Sequence, residues 1–240
     1  MGRAGAMAKR SLLSIVIPVW CEADEIAEAT ASALRIADEV IVADAGSPDG
    51  TAAIAAAHGA RVVNAPKGRG AQLAAGAQSA SGDVLLFLHA DVRLPPEARV
   101  AIESALRDAA VAGGNFFVRF EPESAAARLF TWANHVRRRW LRVYYGDSAI
   151  FVRRSAYLAL GGIRDLPILE DYEFVRRLER SHRTAYLHDV VAKVSARRFE
   201  RAPLMTLFVW TLLQVMYSLG VSAHSLARFY RDVRRRGIAA

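Results

Sequence analysis

Residues Gly82-Asp83-Val84-Leu85-Leu86-Phe87-Leu88-His89-Ala90-Asp91 form an apolar run of strand length that stops at a His-Ala-Asp turn, with Pro95-Pro96 close behind. A run this apolar reads as a strand buried on both faces, as in a parallel sheet covered by helices. In open α/β sheets, ligands bind beyond the carboxyl ends of the strands. Asp91 stands at such an end. A carboxylate there can hold a divalent cation that bridges the phosphates of a nucleotide, since Mg²⁺ commonly uses one or two carboxylates plus substrate phosphates. A strand-end Asp also opens turns, so residue 91 alone leaves both uses open.

The same rhythm extends outward from this strand. Residues 12–19 read as a first buried strand, 23–37 as an Ala-rich helix with acids in its first turn, and 39–43 as a second strand ending at Asp44. Residues 50–58 predict a short helix stopped by Gly59, 61–65 a third strand, 70–80 a helix and 84–88 the fourth strand. Strands alternating with helices at this spacing argue for an α/β fold with a parallel sheet built from βαβ units. Beyond Pro95 the pattern turns mixed. Helices are expected over 96–109, 123–142, 155–160 and 171–181, and strands over 112–120, 149–152, 184–187 and 190–194.

The chain has 240 residues, enough for one large domain or a domain with an appendage, and 53% of them are apolar. The single Cys21 rules out an internal disulfide and fits a reducing, cytoplasmic setting. One Cys and six scattered His argue against a structural zinc site. No secretory signal is read at the start of the chain. The net charge of +8 is almost all arginine and suits nucleic acid, anionic lipid or phosphorylated substrates, or follows from base composition alone. No basic patch interleaved with aromatics marks a nucleic-acid module, so nucleic acid is not an expected partner.

Residues 204–223 carry no charge, and an arginine-rich stretch, Arg228 to Arg236, follows. Thr206, Thr211, Gln214, Ser218 and Ser222 interrupt the apolar run, which weakens a membrane span. Trp210 and Tyr217 suit an interface. The reading favoured here is a helix docked on the domain or on a second copy in a homodimer, with room for peripheral contact at the inner face of the cell membrane.

Three segments occur in one order at compatible spacing: Ser14-Ile15-Val16-Ile17-Pro18, Asp44-Ala45-Gly46-Ser47-Pro48-Asp49-Gly50-Thr51, and Leu88-His89-Ala90-Asp91. Together they resemble the family 2 glycosyltransferases, which have the GT-A fold. Lys67-Gly68-Arg69-Gly70-Ala71-Gln72, Tyr145-Gly146-Asp147-Ser148, Gly161-Gly162, Leu169-Glu170-Asp171 and Ser195-Ala196-Arg197-Arg198-Phe199 extend the likeness over residues 12–200. The His-Ala-Asp turn and the Gly-Asp-Ser strand most resemble a bacterial subgroup associated with radical-SAM and selenodomain proteins.

The resemblance implies a Rossmann-like nucleotide-sugar-binding half over 12–94 with a mostly parallel sheet, a mixed acceptor half over 95–200, and an apolar and basic helical tail over 203–236. It implies an inverting transfer of sugar from a nucleoside diphosphate sugar, UDP being the usual nucleotide, to an unidentified acceptor. The expected cofactor is a divalent metal, Mg²⁺ or Mn²⁺, held by Asp91. Donor contacts are expected from Pro18, Trp20, Glu22 with Asp24, Asp44, Gly68, Arg69, Gln72, His89 and Ala90, and from Arg197 and Arg198, whose forked guanidinium groups match phosphate oxygens. Asp171 is the expected general base, with Glu170 beside it. Tyr145, Gly146 and Asp147 fall on the acceptor side.

Each role has a plainer rival. Asp171 also reads as a helix cap, and the arginine pair as a solvated strand end. Arg137-Arg138-Arg139 with Arg142 reads as a solvated helix face, or as a contact for an anionic acceptor or lipid. Two positions depart from the family pattern: His89 replaces the first Asp of the usual Asp-x-Asp, and Ala45 replaces a second Asp. The alternatives kept are a polyprenyl-phosphate glycosyltransferase at the membrane surface and a sugar-phosphate nucleotidylyltransferase. Pro18-Val19-Trp20-Cys21-Glu22 stands where the latter class has a basic Gly-rich loop.

Overall fold

A computed structural model describes residues 10–196 and 202–235. The first half is a run of βα units: β1 (Leu13–Val19), α1 (Ala23–Leu34), β2 (Glu39–Asp44), α2 (Thr51–Ala57), β3 (Arg61–Asn64), α3 (Arg69–Ser79) and β4 (Val84–Phe87). The second half holds β5 (Val92–Arg93), α4 (Ala98–Ala105), β6 (Val111–Glu121), α5 (Ala125–Val136), β7 (Ile150–Arg153), α6 (Arg154–Ala159), α7 (Glu170–Ser181) and β8 (Arg183–Ser195). Two further helices follow, α8 (Pro203–Ser218) and α9 (Ala223–Arg235).

The strands form one sheet in the order β3-β2-β1-β4-β7-β6-β8-β5. β1 to β4 are mutually parallel; β7 runs against β4 and β6, β8 is parallel to β6, and β5 runs against β8. This is the mostly parallel α/β sheet expected of a GT-A fold. In β1, Ile15 and Ile17 enter one core while Val16 enters the other, and Leu86 and Leu85 of β4 divide in the same way. Both faces are therefore apolar, which is why these strands read as continuous hydrophobic runs. Val19 lies opposite Asp44, and Asp44 opposite Asn64, so the strands end level and their loops share one rim.

Three departures from the expected elements bear on the site. The two strands expected over 184–194 are one strand; its register on β6 slips between Leu187 and Val191, where exposed His188 and Asp189 break the apolar pattern. The helix expected to run to residue 142 ends at Val136 and continues as a single π-turn, Arg137–Leu141, closed by Arg142 in the left-handed region. Arg138 turns inward there. It donates to Asn115 Oδ1 (2.6 Å) and Thr184 Oγ1 (3.1 Å) and pairs with Glu179 at 3.4 Å. Finally, β5 is only two residues long, too short to leave a period, yet it joins the Asp91 turn to the end of β8.

α8 docks on this body rather than standing apart. Val209 and Leu213 pack beside Ile168, Leu169 and Leu226, and Trp210 meets Phe130 edge-on at 5.8 Å.

Candidate active site

On the rim of β1 and β2, polar side chains hold loops. Asp44 is buried; its carboxylate accepts from Gly46 N (2.8 Å), Ser47 N (2.9 Å) and Ser47 Oγ (2.5 Å). Helix α1 has no side-chain cap of its own. The β2–α2 loop supplies acceptors instead: Cys21 N donates to Ser47 Oγ, Glu22 N to Thr51 Oγ1 and Ala23 N to Asp49 Oδ2, at 2.9–3.2 Å. Buried Gln72 of α3 donates from Nε2 to Val19 O (2.6 Å) and Ala43 O (3.0 Å), tying the ends of β1 and β2 together. Pro18 lies opposite Ala43 in the same rim. Above it, Trp20 is exposed and the Lys67 ammonium sits 3.5 Å from the centroid of its ring. Gly68, at a φ of +142° that side chains rarely adopt, leads from this lysine into α3.

The turn after β4 is pinned on two sides. Arg93 donates to Ala90 O (2.5 Å) and to Glu25 of α1 (2.9 Å), and Ser195 N at the end of β8 donates to Asp91 O (3.3 Å). His89 and Asp91 are buried, and with Asp147, Phe120, Val194, Ser195 and Trp210 they line a small cavity of about 30 Å³, room for a water or one cation.

The opposite wall comes from the 3₁₀ turn Gly146–Ser148 and the first turn of α7. Asp171 Oδ2 accepts from Gly146 N (2.7 Å) and Oδ1 from Tyr172 N (2.7 Å). A Cβ at residue 146 would lie 2.5 Å from His89 Nε2 and 3.2 Å from Asp171 Oδ2. Only glycine lets these two groups approach one point. Glu170 is 1% exposed and Asp171 5%, and the N-terminal dipole of α7 favours both. Arg69, at the start of α3, bonds Glu170 through Nε and stands 3.8 Å from Asp171. Burial opposes the Arg69 charge, but Glu170, Asp171 and Asp147 outweigh it and raise its pKa. Burial likewise dominates at Glu170 and raises its pKa; Arg69 opposes that rise and Asp171 adds to it. Gly70 makes the bridge sterically possible, since a Cβ there would stand 2.5 Å from the carbonyl of Arg164 in the loop leading to α7.

Backbone strain gathers around the same loops. Cys21, Ala149 and Leu169 all have φ between 53° and 60°, beside Glu22, the Gly146–Ser148 turn and Glu170 respectively. Non-glycine residues adopt that region rarely and at a cost of about 1–3 kcal/mol each.

The structure thus brings together Arg69, His89, Asp91, Gly146, Asp147, Glu170 and Asp171, while Asp44 and Gln72 face the loops they brace. Glu22 sits at the loop between Trp20 and α1. Arg197 and Arg198 lie outside the described residues. Among the described residues no three His, Cys, Asp or Glu side chains group to hold a metal. The carboxylates of Asp91 and Asp147 on one small cavity fit a hard cation that takes its other ligands from phosphate and water. Phe120 and Trp210 are site-lining residues that sequence reading missed; the lone Trp in the apolar tail was the available signal.

The model of the family described as glycosyl transferase family 2 matches residues 14–157, more than half of the chain. Among solved structures, a mycobacterial protein is 21% identical over 88% of this chain and 76% of its own, with a TM-score of 0.61. A mannosyltransferase from Pyrobaculum calidifontis, solved with GDP-Man and Mn²⁺, is 18% identical over 90% of this chain and 66% of its own, with a TM-score of 0.64. Glucosyl-3-phosphoglycerate synthase from Mycobacterium tuberculosis, solved with phosphoglyceric acid, is 19% identical over 88% and 81%, with a TM-score of 0.60. At these identities the structural likeness speaks for the fold. The family match carries the identity: the chain belongs to glycosyl transferase family 2 and is a nucleotide-sugar-dependent glycosyltransferase.

Proposed function

We propose that this enzyme moves a sugar from a UDP-sugar to its acceptor by a single inverting displacement, with Asp171 as general base. The observation that carries this reading is the buried pair Glu170–Asp171, bridged by Arg69 and pressed through Gly146 against His89. Two backbone N–H groups fix the Asp171 carboxylate, and each of its oxygens keeps a lone pair with which to take the proton of an acceptor hydroxyl. Glu170 orients Arg69 beside it. On the donor side, Trp20 and Lys67 frame the rim, Asp44 and Gln72 hold its shape, and Glu22 is the group offered to the base of the nucleotide. Asp91 would hold Mg²⁺ or Mn²⁺, with His89 beside the donor phosphates. The bound cation would neutralise charge growing on the departing diphosphate. Arg197 and Arg198 are assigned to the same charge. The mannosyltransferase with Mn²⁺ and the synthase solved with Mg²⁺ and UDP are consistent with this assignment. The narrower likeness to the radical-SAM-associated subgroup rests on the His-Ala-Asp and Gly-Asp-Ser turns.

A second reading places the acceptor at a membrane surface, as a polyprenyl phosphate. Its support is the exposed apolar set Leu204, Phe208 and Leu219 on the α8 arm, with Trp140 and Leu141 on the π-turn. Among the described residues no helix is long and apolar enough to cross a membrane.

Thermal shifts with UDP and GDP, each with and without Mn²⁺, test the donor assignment, because a ligand that binds the native state raises its stability. Asp91→Asn should abolish the Mn²⁺-dependent part of the UDP shift and His89→Ala should reduce it less. An unchanged Mn²⁺ effect in Asp91→Asn would remove Asp91 from the metal site.

A further inference from the structure

Arg137 opens the π-turn, at the point where the helical path is broken. Its Nη2 donates to Asn134 Oδ1 at 2.6 Å, and its guanidinium lies over the ring of Tyr145, 5.1 Å from the centroid. Its Nε is sealed from solvent with no hydrogen-bond partner. Among the described residues, no carboxylate stands within ion-pair distance of it. Arg139 is exposed to solvent, but the other arginines around it differ. Arg138 and Arg142 share Glu179, Arg164 and Arg177 share Glu173, and Arg69 takes Glu170. A half-buried guanidinium without a counter-ion is costly unless an anion completes it.

Its position gives that anion a role. Tyr145 precedes Gly146, whose N–H binds Asp171. Burial raises the pKa of the Tyr145 phenol, Arg137 opposes the rise, and Asp171 and Asp147 add to it. One side chain therefore feels the unpaired cation and both acceptor-side carboxylates. Tyr145 is itself held by Gln214 of α8 and stacked near Tyr172 at 5.8 Å, so the ring under Arg137 is a fixed platform.

We infer that Arg137 seats an oxyanion of the acceptor, a phosphate or a carboxylate, and so selects anionic acceptors whose hydroxyl is presented to Asp171. The inference rests on the reading above, in which the acceptor enters beside Asp171. With Nη2 given to Asn134 and Nε sealed, Nη1 is the donor left to meet such a group, and the Tyr145 ring beneath positions the guanidinium. The oxyanion has two sources, a free phosphorylated metabolite or a lipid headgroup.

The test uses the full chain. With UDP and Mn²⁺ bound, so that the donor phosphate region is filled, glycerol 3-phosphate and glycerol are titrated by calorimetry. Glycerol 3-phosphate should bind in strong preference to glycerol. Arg137→Gln should weaken it roughly ten- to hundred-fold, the range for a charged hydrogen bond, with Arg137→Lys in between and UDP affinity unchanged. Sedimentation with phosphatidylcholine vesicles, with and without phosphatidic acid, separates the sources. Arg137-dependent capture by the acidic vesicles identifies a headgroup, and Arg137-dependent binding of the soluble ester alone identifies a metabolite. The inference is overturned if wild type does not prefer glycerol 3-phosphate to glycerol, or if Arg137→Gln binds both the ester and the acidic vesicles as wild type does. The titration is repeated without UDP. Failure of UDP to bind would thus count against the donor reading and leave the Arg137 comparison intact.

Discussion

The rim of β1 and β2 and the wall built by α7 and the Gly146 turn are both rich in polar groups, yet they use them in opposite ways. On the rim, Asp44, Ser47, Asp49, Thr51 and Gln72 are occupied with backbone N–H and carbonyl groups of neighbouring loops. The wall instead buries two adjacent carboxylates and bridges them with one arginine, and Arg137, over the Tyr145 ring, has no acid within ion-pair distance among the described residues. The rim is arranged for stability. The wall holds charge at some cost to stability, as reacting groups often do. Motif residues of one family thus brace loops in one half of the molecule and gather buried charge in the other.

Asp171→Asn presses hardest on this contrast. Turnover at saturating donor should fall about 10²–10⁴-fold, the usual cost of losing a general base. Donor affinity should hold, and the unfolding free energy should fall by no more than about 1–3 kcal/mol, because relief of the carboxylate repulsion offsets part of the cost of the one backbone N–H that the Asn amide nitrogen cannot accept. Steady-state kinetics and urea unfolding on the same preparation check it. A wild-type rate would move the base to Asp147.

Gln72→Leu should show the reverse pattern. The carbonyls of Val19 and Ala43 lose a buried donor, which costs about 1–3 kcal/mol. Urea midpoints should fall, UDP affinity should fall with them, and turnover at saturating donor should change least. If stability is kept while turnover collapses, the rim is chemical after all.

The smallest effect is expected at the far end of the sheet. Glu39 begins β2, away from the site, and accepts from Ser14 Oγ (2.5 Å), Ser81 N (2.6 Å) and Ser81 Oγ (2.9 Å). Burial alone would raise its pKa, but these bonds and Arg61 outweigh it and lower it below 4.5. A lowered carboxylate pKa stabilises the fold above the unfolded value, and that stability is lost as pH falls through the folded value. Glu39→Gln should therefore melt below wild type at pH 7, with the gap closing as pH drops under about 4.5. Activity at pH 7 should not change. A gap that persists in acid would mean that the loss is one of packing.

The first half of the fold was legible because β1, β2 and β4 are buried on both faces, leaving only the edge strand β3 half-exposed, and each helix is bounded by glycine or acid. The site was legible only in pieces. Asp91 stands out as the end of an apolar run, but Arg69 and Glu170 lie 101 residues apart, and no local pattern announces their pairing. Asp171 and Gly146 entered through family resemblance. The π-turn was hidden because Arg137-Arg138-Arg139 continues a plausible helix, and only the inward demand of Asn115 and Glu179 breaks it. The tail's helices were visible, but not that Trp210 would reach the cavity beside Asp91.

That last contact sets a schedule for the molecule's birth. β1 to β4 are all present once residue 87 has emerged; β1–β2 and β2–β3 link neighbours along the chain, and β4 returns to pair with β1. The Asp91 turn waits for Ser195, and the cavity waits for Trp210. At about 5–20 residues per second, translation needs roughly 6–25 s more to deliver them. Pairings this distant in the chain also form slowly once available. A ribosome stalled before α8 would carry a chain with the β1–β4 rim in place and the cavity beside Asp91 unfinished.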